Sequence, residues 1–115
     1  MVESAGVADR SGAGPRMNAK VDATEKGHRA EVTIRNGLGL HLRPASQLVK
    51  LASKFEACEI HISKDGQSVN AKSIMGVIML AAEQGSVLVI EAQGDQSEAA
   101  VQALVELIEG GFGES

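Results

Sequence analysis

A lone histidine and an arginine two residues on, at the start of an amphipathic stretch, are the residues best placed to do chemistry in this chain. They lie in Asn36-Gly37-Leu38-Gly39-Leu40-His41-Leu42-Arg43-Pro44-Ala45-Ser46. A polar-apolar strand pattern ends at Arg35, a glycine-broken loop follows, and His41 then opens a helix. The first N–H groups of a helix have no intrahelical partner and sit at the positive end of its dipole, so this position attracts anions. Arg43 adds a permanent guanidinium within one turn, suited to bidentate phosphate contact. A helix N-terminus also disfavours an imidazolium, leaving the ring neutral and nucleophilic. Together these groups suit a site that carries a phosphoryl group on histidine. A histidine at a helix start is more often only a cap or a surface residue, so position alone does not decide the role.

Elements that position these residues can be read from periodicity. Residues 30–35 alternate and predict a strand with Val32 and Ile34 inward. Ala45, Leu48, Val49 and Ala52 mark one face of a helix over 42–54, with Pro44 in its first turn, where a missing N–H costs little. Phe55 is expected to pack under its exit. Residues 58–63 and 68–71 predict two short strands joined by Lys64-Asp65-Gly66-Gln67, a hairpin signal. Ser73 precedes a short apolar helix over Ile74, Met75, Val77, Ile78, Leu80 and Ala81, ended by Gln84-Gly85, and serine is a favoured cap. Residues 86–92 are the most hydrophobic strand and are expected at the sheet centre. Asp95 and Glu98 then form a variant capping box for a last helix with a buried stripe of Val101, Leu104, Val105 and Ile108, stopped by Gly110 and Gly111.

The order β-α-β-β-α-β-α, with alternating strands and one-sided helices, predicts an α+β fold with helices on one face of an antiparallel sheet. Two folds share it, a ferredoxin-like fold and an open-faced sandwich, and pattern alone does not separate them. Residues 1–27 are rich in Gly, Ala and charge without a sustained apolar period, and are expected to be a disordered tail. Residues 28–115 form the expected domain. Met17 is a candidate alternative translation start.

The chain has 115 residues, enough for one domain, and is 43% hydrophobic but only 2% aromatic, so its core must be aliphatic. A net charge of −4, with no Trp or Tyr, argues against nucleic-acid binding. Cys58 is the single cysteine, which excludes an intramolecular disulfide and a multi-cysteine zinc site; a small buried hydrophobe in a reducing compartment is its expected role. No cofactor or metal is expected, and no Walker loop points to direct ATP use. No apolar run is long enough to span a membrane, and no signal-peptide core is evident. His28 and His61 have no motif around them.

Gly39-Leu40-His41-Leu42-Arg43-Pro44-Ala45 resembles the active-site signature of the HPr phosphocarrier proteins, G-[LIVM]-H-[ATL]-R-P-A. Ala71-Lys72-Ser73-Ile74-Met75-Gly76-Val77 resembles that family's regulatory serine motif. The resemblance covers 28–115. It selects the HPr-like open-faced β-sandwich, a four-stranded antiparallel sheet of order 1-4-2-3 covered on one face by three helices. It implies a bacterial, cytoplasmic, monomeric carrier. It also implies that enzyme I takes phosphate from phosphoenolpyruvate and passes it to Nδ1 of His41, that Arg43 stabilises it, and that an enzyme IIA protein takes it next. Ser73 would be the site of HPr kinase/phosphorylase, or simply a cap. Leu42, Ile74 and Met75 are the expected apolar contacts for partners; Ile74 could equally be core.

Leu38-Gly39-Leu40-His41 and the ending Gly111-Phe112-Gly113-Glu114-Ser115 look like the nitrogen-related branch. The serine motif looks more like carriers regulated by the kinase. Leu42 departs from the commoner Ala or Thr. A non-catalytic, ligand-sensing module of ferredoxin-like fold is the competing reading, in which His41 has no covalent role.

Overall fold

The computed structural model describes residues 20–114. The elements run β1 Asp22–Ala23, β2 Gly27–Thr33, α1 Leu42–Ser53, β3 Cys58–Lys64, β4 Gln67–Asn70, α2 Ile74–Met79, β5 Val87–Gly94 and α3 Ser97–Glu109, followed by a short 3-10 turn, Gly111–Gly113. One antiparallel sheet has the order β1-β2-β5-β3-β4. The expected four-stranded order is contained in it. A fifth strand, β1, extends its edge.

Strand alternation decides which face the helices cover. Ala30 and Val32 of β2, Cys58, Ile60 and Ile62 of β3, and Leu88, Ile90 and Ala92 of β5 are buried on one face. They meet Ala45, Leu48 and Ala52 of α1, Val77 of α2, and Val101, Leu104, Val105 and Ile108 of α3, in an aliphatic core. Glu31, Glu59 and Glu91 lie at alternate positions and remain exposed, so the other face is open to solvent. The central place of β5 matches its hydrophobicity. The β3–β4 hairpin turns through Asp65 (φ 51°) and Gly66 (φ 86°), as the Asp-Gly pair predicts.

Four expectations are corrected. The ordered part of the domain begins before residue 28: β1 pairs Asp22 with Arg29 and Ala23 with His28, and Thr24 N–H donates to Gly27 O at 2.7 Å. Two residues are too few to show a period, so this strand was illegible; residues 1–19 of the expected tail lie outside the described residues. The first strand spans 27–33 rather than 30–35, because β5 is long enough to pair Gly27 with Gln93.

The helix after Ser73 ends at Met79, and Ala81 is exposed with a left-handed φ of 52°, not part of an inward face. Tertiary bonding accounts for this. The Ala82 carbonyl accepts the Leu40 N–H at 2.9 Å, a tie that a continuing helix would break. Finally, Asp95 does not cap the last helix. Gln96 occupies the N-cap with φ 66° and no side-chain cap bond. The next residue, Ser97, is buried, and its Oγ lies 2.8 Å from His28 Nδ1.

Candidate functional site

His41 sits at the N-cap of α1 with extended backbone (φ −81°, ψ −172°), and its carbonyl accepts the Ala45 N–H at 2.9 Å. Its side chain makes no capping bond. The ring is therefore free to face other groups, while the N–H groups of Leu42 and Arg43 remain without helical partners. Pro44, the third helical residue, has no N–H to offer and is buried. The open end of α1 thus presents two adjacent donors beside the imidazole.

The loop before His41 holds this geometry. Gly39 has φ 69°, and a Cβ there would lie 2.5 Å from the Ala82 carbonyl oxygen. Only glycine fits both the left-handed backbone and the close approach. Asn36 is 3% exposed, and its Nδ2 donates to Gly39 O at 2.7 Å, closing the loop on itself.

Sequence reasoning missed the group that contacts the histidine. His41 Nε2 lies 3.0 Å from Glu114 Oε2 and 3.2 Å from Oε1. The His41 side chain is 34% exposed and that of Glu114 19%. Asn36 Nδ2 also donates to Glu114 Oε1, at 3.0 Å. The His41 contact holds the Glu114 carboxyl below the usual carboxylate range; burial opposes this, and the Asn36 donor and the charges of His41 and Arg43 assist it. Glu114 thus places a carboxylate beside the ring, at the positive end of the α1 dipole.

Glu114 reaches the site because the chain end is anchored. Gly111 (φ 69°) turns the chain after α3, and Phe112 is buried with φ 58°. A left-handed phenylalanine costs about 1–3 kcal/mol. Burying its ring contributes about 1.5–3 kcal/mol, an amount comparable to that cost. Glu114 N–H then donates to Gly111 O at 2.9 Å. A phenylalanine set among glycines at Gly110–Gly113 was the available signal of an anchored turn.

Arg43 is exposed on the first turn of α1. Ser73 caps α2: its Oγ accepts the Gly76 N–H at 3.2 Å. Beside it, Lys72 Nζ donates to the carbonyls of Phe55 (2.8 Å) and Cys58 (2.7 Å), tying α2 to the end of α1 and the start of β3. Of the expected contact residues, Leu42 is 64% and Met75 63% exposed. Ile74 is half-buried and packs against the core, so it offers an edge rather than a free side chain. Met79, 65% exposed, was missed. It follows Met75 by four residues and shares its helix face. Since α1 and α2 pack together, the apolar side chains lie on neighbouring helices.

A polar cleft of about 530 Å³, lined by groups including His28, Glu59, His61 and Glu91, does not include His41. Cys58 is buried, and its burial raises the thiol's pKa. That environment makes it inert rather than reactive. Among the described residues there is no group of three or more His, Cys, Asp or Glu able to hold a metal ion, and no helix is long and apolar enough to cross a membrane.

Fold and site together define a small open-faced α+β sandwich that presents a histidine at an anion-attracting helix end. The family described as "PTS HPr component phosphorylation site" matches residues 28–110. Phosphocarrier protein HPr of Xylella fastidiosa (strain Temecula1) is 48% identical over 84 residues, covering 73% of this chain and 93% of that protein. HPr of Cupriavidus necator is 45% identical with the same coverage of each chain. The crystal structure of HPr-C-His from Thermoanaerobacter tengcongensis superposes with a TM-score of 0.72 at 48% identity, covering 76% of this chain and 97% of that one. HPr from Bacillus anthracis gives 0.67 at 40% identity, covering 70% and 94%. The chain therefore belongs to the HPr family of phosphotransferase-system phosphocarriers.

Proposed function

We propose that His41 is the carrier residue. In this reading Nδ1 accepts a phosphoryl group from enzyme I, originating in phosphoenolpyruvate, and an enzyme IIA protein removes it, in sugar uptake or in nitrogen and carbon regulation. The carrying observation is the disposition of the ring. Nε2 is engaged by Glu114, no bond to Nδ1 is present among the described residues, and the N–H groups of Leu42 and Arg43, which have no helical partners, lie at the same helix end. Such helix-end interactions contribute about 0.3–1 kcal/mol each at exposed sites, enough to favour the phosphorylated form without trapping it. The carrier works as a cytoplasmic monomer. Leu42, Met75, Met79 and the edge of Ile74 form the docking surface, and two exposed methionines suit a surface that must accept more than one partner. The experiment is transfer of label from phosphoenolpyruvate to the full chain through enzyme I, and from it to an enzyme IIA.

Arg43 assists without being the nucleophile. Arg43→Ala is expected to slow transfer and change the lifetime of the phosphohistidine, because the guanidinium's charge and hydrogen bonds are lost. Its thermal stability should move little, since the side chain is exposed. Stopped-flow transfer rates check this, and unchanged rates with both donor and acceptor would refute the role.

Ser73 is the proposed regulatory site, modified by HPr kinase/phosphorylase. Ser73→Asp places a negative charge at the start of α2, where it can still cap, beside exposed Met75. An apolar partner surface would have to desolvate that charge. Enzyme I binding should weaken by about 1–3 kcal/mol, the cost of burying an imperfectly paired polar group, while the fold persists. Calorimetric titration measures it. Equal affinities with both proteins folded would leave Ser73 as a cap only.

A further inference from the structure

We propose that Glu114 is a positioning residue that fixes which nitrogen of His41 carries the proton, a reading that rests on His41 as the carrier. A phosphoryl acceptor nitrogen must present a lone pair. In a neutral imidazole one nitrogen bears the proton and the other the lone pair, and the tautomer follows from what each nitrogen meets. Glu114 offers only acceptor oxygens, and both lie within 3.2 Å of Nε2. Nε2 must then carry the proton and donate it, so the lone pair resides on Nδ1.

Asn36 makes this arrangement specific. Its Nδ2 donates both to Gly39 O and to Glu114 Oε1. The amide cannot be reversed, because its oxygen would then face two acceptors. Its Oδ1 is buried with no hydrogen-bond partner among the described residues. A buried acceptor is left unsatisfied so that the donor side can orient Glu114 and close the loop. The clasp is built across the whole domain, since Asn36 precedes α1 and Glu114 follows α3. Glu114 also lies beyond residues 28–110, the part that matches the family.

The step balances as follows. The Nδ1 lone pair forms the new N–P bond. The bond between phosphorus and the donor's leaving atom breaks, and its electron pair goes to that atom. The Nε2 proton remains on the ring, held by Glu114, whose negative charge offsets the positive charge that develops on the imidazole. No proton has to leave Nδ1 before attack.

A substitution separates positioning from packing. In Glu114→Gln, Asn36 Nδ2 still needs an acceptor and selects the amide oxygen at the Oε1 place. The amide nitrogen then occupies the Oε2 place and donates to Nε2, which drives the ring proton to Nδ1. Glu114→Gln, nearly isosteric, should thus impair transfer more than Glu114→Ala, which leaves both tautomers accessible. Glu114→Asp should restore part of the rate if its shorter carboxylate still reaches the ring.

The test combines nitrogen-15 NMR of the imidazoles, at a pH where the ring is neutral, with phosphoryl-acceptance kinetics on the full chain. Wild type should carry its proton on Nε2, and Glu114→Gln should move it to Nδ1. The maximal acceptance rate of Glu114→Gln should fall about tenfold or more, the effect of depleting the reactive tautomer, with the KM for enzyme I little changed. Glu114→Ala should fall less. A Glu114→Gln ring that keeps the wild-type tautomer, or a Glu114→Ala rate below that of Glu114→Gln with both proteins folded, would overturn the proposal while leaving the carrier reading intact. Failure of wild type to accept phosphate at all would instead overturn the carrier reading and this proposal with it.

Discussion

His41→Ala is expected to take up no phosphoryl group from phosphoenolpyruvate and enzyme I, with its fold unchanged. This is the largest functional effect expected from any single substitution. In the proposed mechanism the imidazole is the nucleophile, and alanine offers no lone pair. In the same reading the remaining parts of the site stabilise a phosphoryl group but cannot bond to it. Structurally the change is small. His41 makes no side-chain capping bond and is partly exposed, and its backbone contribution to α1, the carbonyl bonded to Ala45 N–H, persists in alanine. The principal loss is the contact with Glu114, near the chain end. Radiolabel transfer with circular dichroism as the folding control checks both halves. A folded His41→Ala protein that labels fully would remove His41 from the mechanism.

The largest effect on stability is expected in the core, far from this chemistry. Ile62 of β3 is fully buried and pairs in register with Ile90 of β5, at the middle of the sheet. Ile62→Ala removes buried methyl groups and leaves a cavity that the two flanking strands, held by their ladders, cannot close. The cost should be about 2–5 kcal/mol. A domain of this size has about 5–15 kcal/mol in total. Each kcal/mol lowers Tm by about 4–8 °C for a folded domain of under about 100 residues. Thermal unfolding followed by circular dichroism measures it, and a shift of only a degree or two would mean that the core repacks around the loss. Phosphoryl acceptance by the remaining folded protein at low temperature should stay near wild type, since Ile62 touches the site only through the fold.

These two predictions draw on different layers of the chain, and the layers were not equally legible. His41 and Arg43 could be placed because the features that place them are local: a strand that ends, glycines that break it, and a helical stripe that begins at Ala45. The capping role of Ser73 was legible for the same reason, as was the Asp65-Gly66 hairpin. The core face of α1 and the stripe of α3 follow from spacing alone. What escaped was set by contacts between distant segments. The apolar run after Ser73 continues through Ala81, yet the helix stops at Met79 because Ala82 is needed by Leu40. Asp95 has the right type and spacing for a capping box, but a left-handed Gln96 shifts the start of the helix.

Glu114 was the costliest omission. No local pattern joins it to a histidine 73 residues earlier. Its place depends on Phe112 burying itself after a glycine turn, and on an asparagine in the first loop. The ending Gly111-Phe112-Gly113-Glu114 was informative as geometry. The apolar exposure of Met79 was within reach, given Met75 one turn before it.

Phosphorus-31 and nitrogen-15 NMR of the full chain, incubated with phosphoenolpyruvate and enzyme I, would show where the phosphoryl group resides. A single acid-labile, base-stable phosphoramidate is expected, with phosphorus coupled to Nδ1 of His41. The signal should decay when an enzyme IIA acceptor is added. A folded chain that remains unphosphorylated beside active enzyme I, or one that bears the group on any atom other than Nδ1 of His41, would contradict the mechanism built on that ring.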